Sequence, residues 1–545
     1  MIKWICKFYI IFLVLVSIGC SRTSGIRYYV SSSDGSDAFN GRSESTAFKT
    51  LARVSRLRLS PGDIVFLKRG DTWREVLTVT SSGMPDTYIK YAAYGNEKNN
   101  PRIFGSEAAV KWIQAGQCLW RTDEKYPDPD IHEYPSEIFF VQKDGAVSWG
   151  KHRSDEESLT DEFNWTWDSD HVYVYSEMDP GTKYRSVEIP QRKTCIDLND
   201  KNYLHFDGIS VFFAVETGYS YHSYPMRPRS GLIIENAEAA YFNKKNGEIG
   251  YGIDASYSDM IVRNCEIHNC GRRGISFHVY GSYKASDILI ENNYFHDGFH
   301  TTGPDFSVGS SSSFVSFFDS VIIRRNLFYD PPASQALSQQ IFLQDYNQGT
   351  STSIQNVLIY SNIFKSPPSS AIMAEGITSL FIYNNTFYNH NITKSGNTMH
   401  IWLDHGNHLV EVKNNIFYTI LTNDNNSNGV EIFLGSEQKY ESVCSDYNLY
   451  YRTDKNLRIV ERDGIDTYAI RNFDLLQSEF GWEKHSPIPS DPMFNNPANN
   501  DFALMSGSPA VGSGVSLGLP VDYLGNVYKT ANPSIGALEG NPGSR

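Results

Sequence analysis

The chain has 545 residues, a formal net charge of −14, and 40% hydrophobic and 14% aromatic side chains, enough apolar material for a large core. The acidic balance argues against nucleic acid as a partner and leaves an acidic polysaccharide dependent on a local basic patch. The 34 tyrosines and 9 tryptophans exceed what a slim interior needs, so some rings lie outside, where flat faces suit sugars.

Residues 1–20 read as a signal peptide: Lys3 and Lys7, then the apolar run Phe8–Val16, too short to span a bilayer, then Ser17-Ile18-Gly19-Cys20. The Gly-Cys ending resembles the lipobox of bacterial lipoproteins, with Ser17 departing from the usual Leu. The resemblance implies lipidation at Cys20 and attachment to a bacterial envelope membrane, on its periplasmic or surface side; plain secretion is the alternative. The remaining cysteines, Cys118, Cys195, Cys265, Cys270 and Cys444, are odd in number and scattered, which excludes a full disulfide framework, and no metal-ligand spacing appears.

Residues 21–105 are expected to form an N-terminal cap and the first coils of a solenoid. Tyr28-Tyr29-Val30 opens a strand, and the amphipathic segment Ala47–Leu59, with Phe48, Leu51, Val54 and Leu57 on one face, suits covering exposed strand edges. Residues 106–190 break the rhythm and carry Trp112, Trp120, Trp149, Trp165 and Trp167; their close, HVYVYSEMDPGTKYRSVEI, alternates like a hairpin. This stretch is read as a small inserted β-subdomain.

Residues 191–480 carry an internal repeat. IVRNCEIH, LIENNYFH, IIRRNLFY, LIYSNIFK, FIYNNTFY and EVKNNIFY align Cys265, Asn293, Asn326, Asn362, Asn385 and Asn415, with Asn448 in a fainter copy, at steps of 23 to 36 residues. Two places later stand Ile267, Phe295, Phe328, Phe364, Phe387, Phe417 and Tyr450. Alternation and β-branched content make each phrase a strand, with Asn supplying a left-handed turn residue. A second, shorter strand precedes each phrase (GISFH, QIFLQ, AIMAE, HIWLD, EIFLG). Such a unit cannot bury its own apolar face; coils stacked about 4.8 Å apart can, with an asparagine ladder and an apolar column running up the stack. The fold class is therefore all-β, a parallel β-solenoid. Residues 481–545, with DFALMSGSPAVGSG and VDYLGN…PSIGALEG, form a closing segment.

The opening YYVSSSDGSDAFNG…AFKTL…LSPGDIVFLKRGDTWRE, the uneven repeats and these C-terminal phrases resemble right-handed parallel β-helix proteins of the pectate-lyase-like, carbohydrate-active type. The likeness covers nearly the whole chain apart from the insertion. It implies a polysaccharide substrate, and both hydrolysis and elimination occur on this fold.

Aligning the shorter strands on Ile275, Ile341, Ile372, Ile401 and Ile432 sends two rows outward. The first is Ser276, Phe342, Met373, Trp402 and Phe433, an apolar stripe suited to sugar rings; the second is His278, Gln344, Glu375, Asp404 and Gly435. Glu375 and Asp404, one coil apart, match the paired carboxylates of glycosidic hydrolysis at the close separation of retaining enzymes, with Glu375 as acid/base and Asp404, near His400 and His405, as nucleophile. Asp345 replaces a member of the row if the register slips by one. Phe342, Met373, Trp402 and Gln344 are expected to bind substrate, with His300, Asp305 and Asp254 along the same groove. Other readings stand beside this one. The carboxylates could cap turns, or hold calcium as in pectate-lyase relatives. A lyase would use His278 as base and act on a uronate glycan. A non-catalytic glycan-binding helix would need the aromatic face alone. The hydrolase reading calls for no metal or other cofactor.

Overall fold

The computed structural model describes residues 25–127, 137–168, 170–221, 227–243, 249–279, 283–308, 317–331, 339–345, 354–389, 398–420, 429–454, 456–462, 466–470 and 473–540. The stretch expected to be a signal peptide and Cys20 lie outside them. Three long sheets dominate. Sheet A has twelve strands from Arg27–Val30 to Val443–Asp446, and sheet B eleven from Thr72–Trp73 to Leu449–Arg452. Sheet C has twelve from Leu77–Thr78 to Asp466–Ile470, all parallel until the last, which turns back antiparallel and ends the coil. The chain visits A, B and C in turn, a right-handed parallel β-helix.

Each repeat phrase is two strands, not one. In FIYNNTFY, Ser379–Tyr383 belongs to sheet A and Thr386–Tyr388 to sheet B, with Asn384 and Asn385 between them. The coil therefore has three strands where the alternation alone gave at least two. The left-handed residue is the one before the aligned asparagine: Asn264, Asn292, Arg325, Ser361, Asn384, Asn414 and Tyr447 all have φ between 48° and 59°. Chain reversal is thereby separated from the ladder, and the aligned asparagine is free to turn inward.

That inward amide is fully engaged. The backbone N–H groups of Cys265, Asn293, Asn326, Asn362, Asn385 and Asn415 each donate to the Oδ1 of the next asparagine up the stack at 2.9–3.0 Å. Each Nδ2 from Asn293 to Asn415 donates to the next Oδ1 at 3.0–3.1 Å and to a carbonyl one coil back, such as Asn385 Nδ2 to Ile359 O at 2.9 Å. Left open, these buried groups would cost about 1–3 kcal/mol each. The ladder's last member, Asn448, donates to Glu483, a fully buried carboxyl that also accepts from Tyr450 Oη at 2.8 Å. Burial raises the pKa of Glu483.

Beside the ladder, Phe295, Phe328, Phe364, Phe387, Phe417 and Tyr450 stack with centroids 4.9–5.0 Å apart and planes within 9°. All are fully buried. The spacing is the inter-strand distance, so the coil pitch and the ring stack reinforce each other.

At the N-terminal end the helix is short, Leu51–Val54, but Phe48, Leu51 and Val54 are buried as the amphipathic spacing requires, and Leu57 packs against them. Residues 106–190 form two small sheets outside the coil. Val172–Tyr175 and Ser186–Pro190 are not a hairpin with each other: the first pairs with Asn164–Trp167 and Leu119–Thr122, the second with Ser106–Ala109 and Phe139–Val141. A helical turn at Pro180–Lys183 separates them. At the far end Leu476 and Trp482 join the core, and the chain then runs back along the outside of sheet B, burying Phe494, Phe502 and Ile535 against Ile363, Tyr388 and Ile416.

Phe387→Ala should cost about 3–5 kcal/mol, because its neighbours are held by strand pairing and cannot collapse into the void; denaturant unfolding monitored by circular dichroism measures it. Inside the coil the buried Asp330 carboxyl, bonded by Thr302 and Gln340, is pushed up to about 7 by burial. The native state then holds a proton that the unfolded chain releases near pH 4, so stability from this group is present below that pH and falls as pH rises toward 7. Asp330→Asn should flatten that decline in a pH series of thermal melts.

Candidate active site on sheet C

The outward rows are in register. Phe342 pairs with Met373, Met373 with Trp402 and Trp402 with Phe433; Gln344 pairs with Glu375 and Glu375 with Asp404. No slip admits Asp345. It occupies the next position along its strand, paired with Val308, and is buried. One further strand, Thr301–Val308, stands between those of His278 and Gln344, placing Asp305 in the first row and Ser307 in the second. Asp254, paired with Ser276, extends the first row at its other end.

Glu375 lies in a confined place. Gln344 Nε2 donates to its Oε2 at 2.7 Å, and His405 Nδ1 stands 3.8 Å from its Oε1. The same nitrogen is 3.8 Å from Asp404 Oδ1, so the two facing carboxylate oxygens lie within twice that distance of each other. Burial raises the Glu375 pKa, and the charges of Asp404 and Asp305 push the same way, against Gln344 and His405. Asp404 is more open, and the backbone N–H of His405 donates to its Oδ1 at 2.8 Å.

A tight turn sets this arrangement. His405 has φ 51° and Gly406 φ 70°, which bring the imidazole back over the strand end it has just left. The site also needs Gly435, next in the row: a Cβ there would fall 2.0 Å from Asp404 Oδ1 and 2.3 Å from its carboxyl carbon. Beside the acids, Trp402 is half-buried and meets Phe433 edge-on at 5.8 Å. Its indole N–H is itself buried and has no partner among the described residues. Met373 is half-buried, while Phe342 is buried.

The other expected members are differently employed. Asp305 is completely buried and accepts from Arg273 Nε and Ser307 Oγ, each at 2.6 Å. Arg273, itself buried, directs Nη1 to His278 Nε2 at 2.6 Å. Burial and then Arg273 lower the His278 pKa to about 4, so its imidazole is neutral and its Nε2 lone pair occupied. His300 bonds Thr301 Oγ1 at 3.1 Å, its pKa lowered by burial and Arg273. His400 is not near Asp404: it is enclosed in the coil, 2.5 Å from Glu431 and beside the rings of Phe387 and Phe417. His405, named only as a neighbour in the sequence reading, is the residue that touches both acids.

Calcium takes about six to eight oxygen ligands. Glu375, Asp404 and Gln344 with an intervening imidazole do not fit that donor set. Two groups with metal-like spacing do occur, Glu266–His268–His296 and His205–Asp207–Glu235, on the outer faces of sheets B and A. They join residues of different coils, which linear spacing does not display.

No family model matches the chain. A lacto-N-biosidase of Bifidobacterium longum subsp. longum is 24% identical over 361 residues, 60% of this chain and 21% of that protein, so the chain spans about a fifth of that relative's length. Among solved structures, a complex of XylC with xylose aligns with a TM-score of 0.52 at 16% identity, covering 94% of this chain and 98% of the other. A glycoside hydrolase aligns at 0.50 with 11% identity, covering 80% and 94%. The likeness to these structures is one of fold, the right-handed parallel β-helix.

Gly435→Ala should displace the Asp404 carboxylate without burdening the core. Any activity that depends on Asp404 should fall about 10²-fold, the effect of a ~1 Å misplacement, with the melting temperature as the control.

Proposed function

We propose that the protein is a glycoside hydrolase acting on a complex polysaccharide by a retaining mechanism, with Glu375 as general acid/base and Asp404 as nucleophile. The observation that carries this reading is the pair itself: two carboxylates in register on adjacent strands, one enclosed and raised in pKa, the other more open. Adjacent strands stand about 4.8 Å apart, near the ~5–5.5 Å carboxyl separation of retaining enzymes. Glu375 keeps its proton to higher pH than an exposed glutamate and gives it to the leaving oxygen. Asp404 attacks the anomeric carbon from the other side. Water then enters, deprotonated by Glu375, and releases the sugar with net retention. In the glycosyl-enzyme stage Asp404 is held as the ester, and Glu375, having given its proton to the leaving oxygen, is the carboxylate that faces His405. Trp402 and Met373 present the apolar surface on which a ring stacks.

The name of the curated relative, a lacto-N-biosidase, supports hydrolysis over elimination. So does the state of His278, which the lyase alternative would need as a base: Arg273 occupies its lone pair, and a pKa near 4 makes it a weak one. We further propose that Cys20 is lipidated and holds the protein on a bacterial envelope membrane; Cys20→Ala should release it to the soluble fraction.

Glu375→Gln should lower turnover of a natural linkage by about 10²–10⁴-fold and hurt less where the leaving group needs no proton. Azide should rescue Asp404→Ala, yielding a glycosyl azide of inverted configuration. Products absorbing as unsaturated uronates, or full activity in both variants, would overturn the assignment. The alkaline limb of kcat/KM should report Glu375 losing its proton. Because the Gln344 N–H stabilises the ionised form, Gln344→Leu should move that limb to higher pH.

A further inference from the structure

A cleft of about 950 Å³ lies between the outer face of sheet B and the inserted subdomain, far from the paired carboxylates. Its floor is sheet B near Arg102–Phe104, Ser210–Phe212 and Glu238–Phe242, and its wall the strands that begin at Ser106, Phe139, Val147 and Ser186. Seven steps of sheet B separate the Arg102 strand from Thr386–Tyr388, the strand that follows Glu375. At about 4.8 Å per step the cleft and the acid pair stand roughly 34 Å apart along the axis.

The charges lining this cleft are unevenly satisfied. Each carboxylate has a partner. Glu188 receives Arg74 at 2.6 and 3.0 Å, Glu238 meets His268 Nε2 at 3.1 Å, and Glu266 meets His296 Nε2 at 3.1 Å. Of the cations Arg74 is paired with Glu188, whereas Arg102, Arg185 and Lys98 form no ion pair among the described residues, and the buried Nε of Arg102 has no hydrogen-bond partner there. Burial and the nearby charge of Arg185 lower the Arg102 pKa while the charges of Glu238 and Glu188 act the other way, and the two guanidinium groups face one space with no direct ion pair of their own among the described residues. On a chain of net charge −14, three cations without a direct ion pair among the described residues converge on one cleft. Phe104, under the guanidinium groups of Arg74 and Arg102 at 5.1 and 5.6 Å, and Tyr241 add ring surface. The volume is at the upper end of the ~300–1,000 Å³ usual for ligand sites.

We propose that this cleft is a second, non-catalytic glycan-binding site that takes an anionic segment, with Arg102 and Arg185 holding a carboxylate or sulfate group and Lys98 supporting them. The anion's identity as part of a glycan rests on the hydrolase reading above; the anion preference rests on the cleft's own charges. Planar guanidinium forks match both groups in a bidentate manner. Binding here would leave the sheet C face free to work on another stretch of the same polymer.

The test titrates the Glu375→Gln protein, whose expected slow turnover spares its ligand, with three oligomers of similar length: oligogalacturonate carrying carboxylates alone, dextran sulfate carrying sulfates alone, and neutral dextran. At least one anionic oligomer should bind, more weakly as salt rises, and the better of the two identifies the group recognised. Arg185→Glu with Arg102→Ala should lower that affinity by tenfold or more, and neutral dextran should not compete. Arg185 and Lys98 are exposed, so Arg185→Glu with Lys98→Glu carries the same test should Arg102→Ala fail to fold. Unchanged affinity in the charge variants, or no anionic binding at millimolar oligomer, overturns the proposal. The charge variants made with Glu375 intact should retain turnover on whichever glycan a reducing-end screen shows the protein to cleave. Lost turnover in them overturns the independence of the two sites. Anion binding that depends on the arginines in a protein whose turnover ignores Glu375→Gln would instead leave this site standing and remove the active-site reading.

Discussion

The structure depends on one constraint, the locked register between successive coils. Parallel strand pairing fixes the spacing along the axis, and the asparagine ladder forbids sliding, since a slip of one residue would leave buried amide groups unpaired from Asn293 to Asn448. With register fixed, a residue type recurring at one offset in the sequence must form a column in space. Inward this gives the phenylalanine stack; outward it gives continuous rows on sheet C. The chemistry inherits its geometry from the core, because Glu375 and Asp404 are neighbours for the same reason that Phe364 and Phe387 are.

A locked lattice would put every outward side chain at equal spacing, which alone is too uniform for a site with two unlike acids. The difference is introduced at the strand ends. Past Asp404 the chain takes a left-handed turn at His405, bringing an imidazole between the carboxylates, and one coil further the row is left empty at Gly435. Two coils before Glu375 lies Asp305, enclosed with Arg273, whose charge still acts on Glu375. Like-charge pressure from two sides and burial separate Glu375 from its partner, which is what acid/base division of labour asks of a carboxylate pair.

Much of this was legible in the sequence, and the misses have physical causes. The ladder and the ring stack were readable because the same residue types recur at a fixed offset. The phrase was mistaken for a single strand because its bend lies at the residue before the asparagine, where Arg325, Ser361 and Tyr447 carry no turn signature. The Thr301–Val308 strand escaped alignment because Gly303 and Pro304 erase the alternation and the pairing shifts there. Rows on adjacent coils were therefore right from Gln344 onward, whereas the neighbourhood of His278 was one strand short. Whether an aligned acid is open or enclosed depends on what its neighbours reach, and so the burial of Asp305 and Asp345 was not in the pattern. The cleft on sheet B arises from residues around 74, 102 and 185 meeting across the insertion, a juxtaposition that no linear spacing encodes.

The placement of cations bears on what kind of cleavage the molecule suits. Elimination from a uronate needs a positive group to neutralise the sugar carboxylate and a base beside it. On sheet C the buried Arg273 is already shared between Asp305 and His278, and its charge weakens the histidine as a base. The unpaired guanidinium groups stand on the other face, where the in-register carboxylates Glu238 and Glu266 are each engaged by a histidine. The reading that uses both faces as they are has anionic stretches of a polymer held on sheet B while a glycosidic bond is hydrolysed on sheet C. In that reading the acidic net charge is tolerable, because the polymer's charges would meet the protein at the cleft, and the face carrying Glu375 and Asp404 would take sugars through ring stacking rather than through charge.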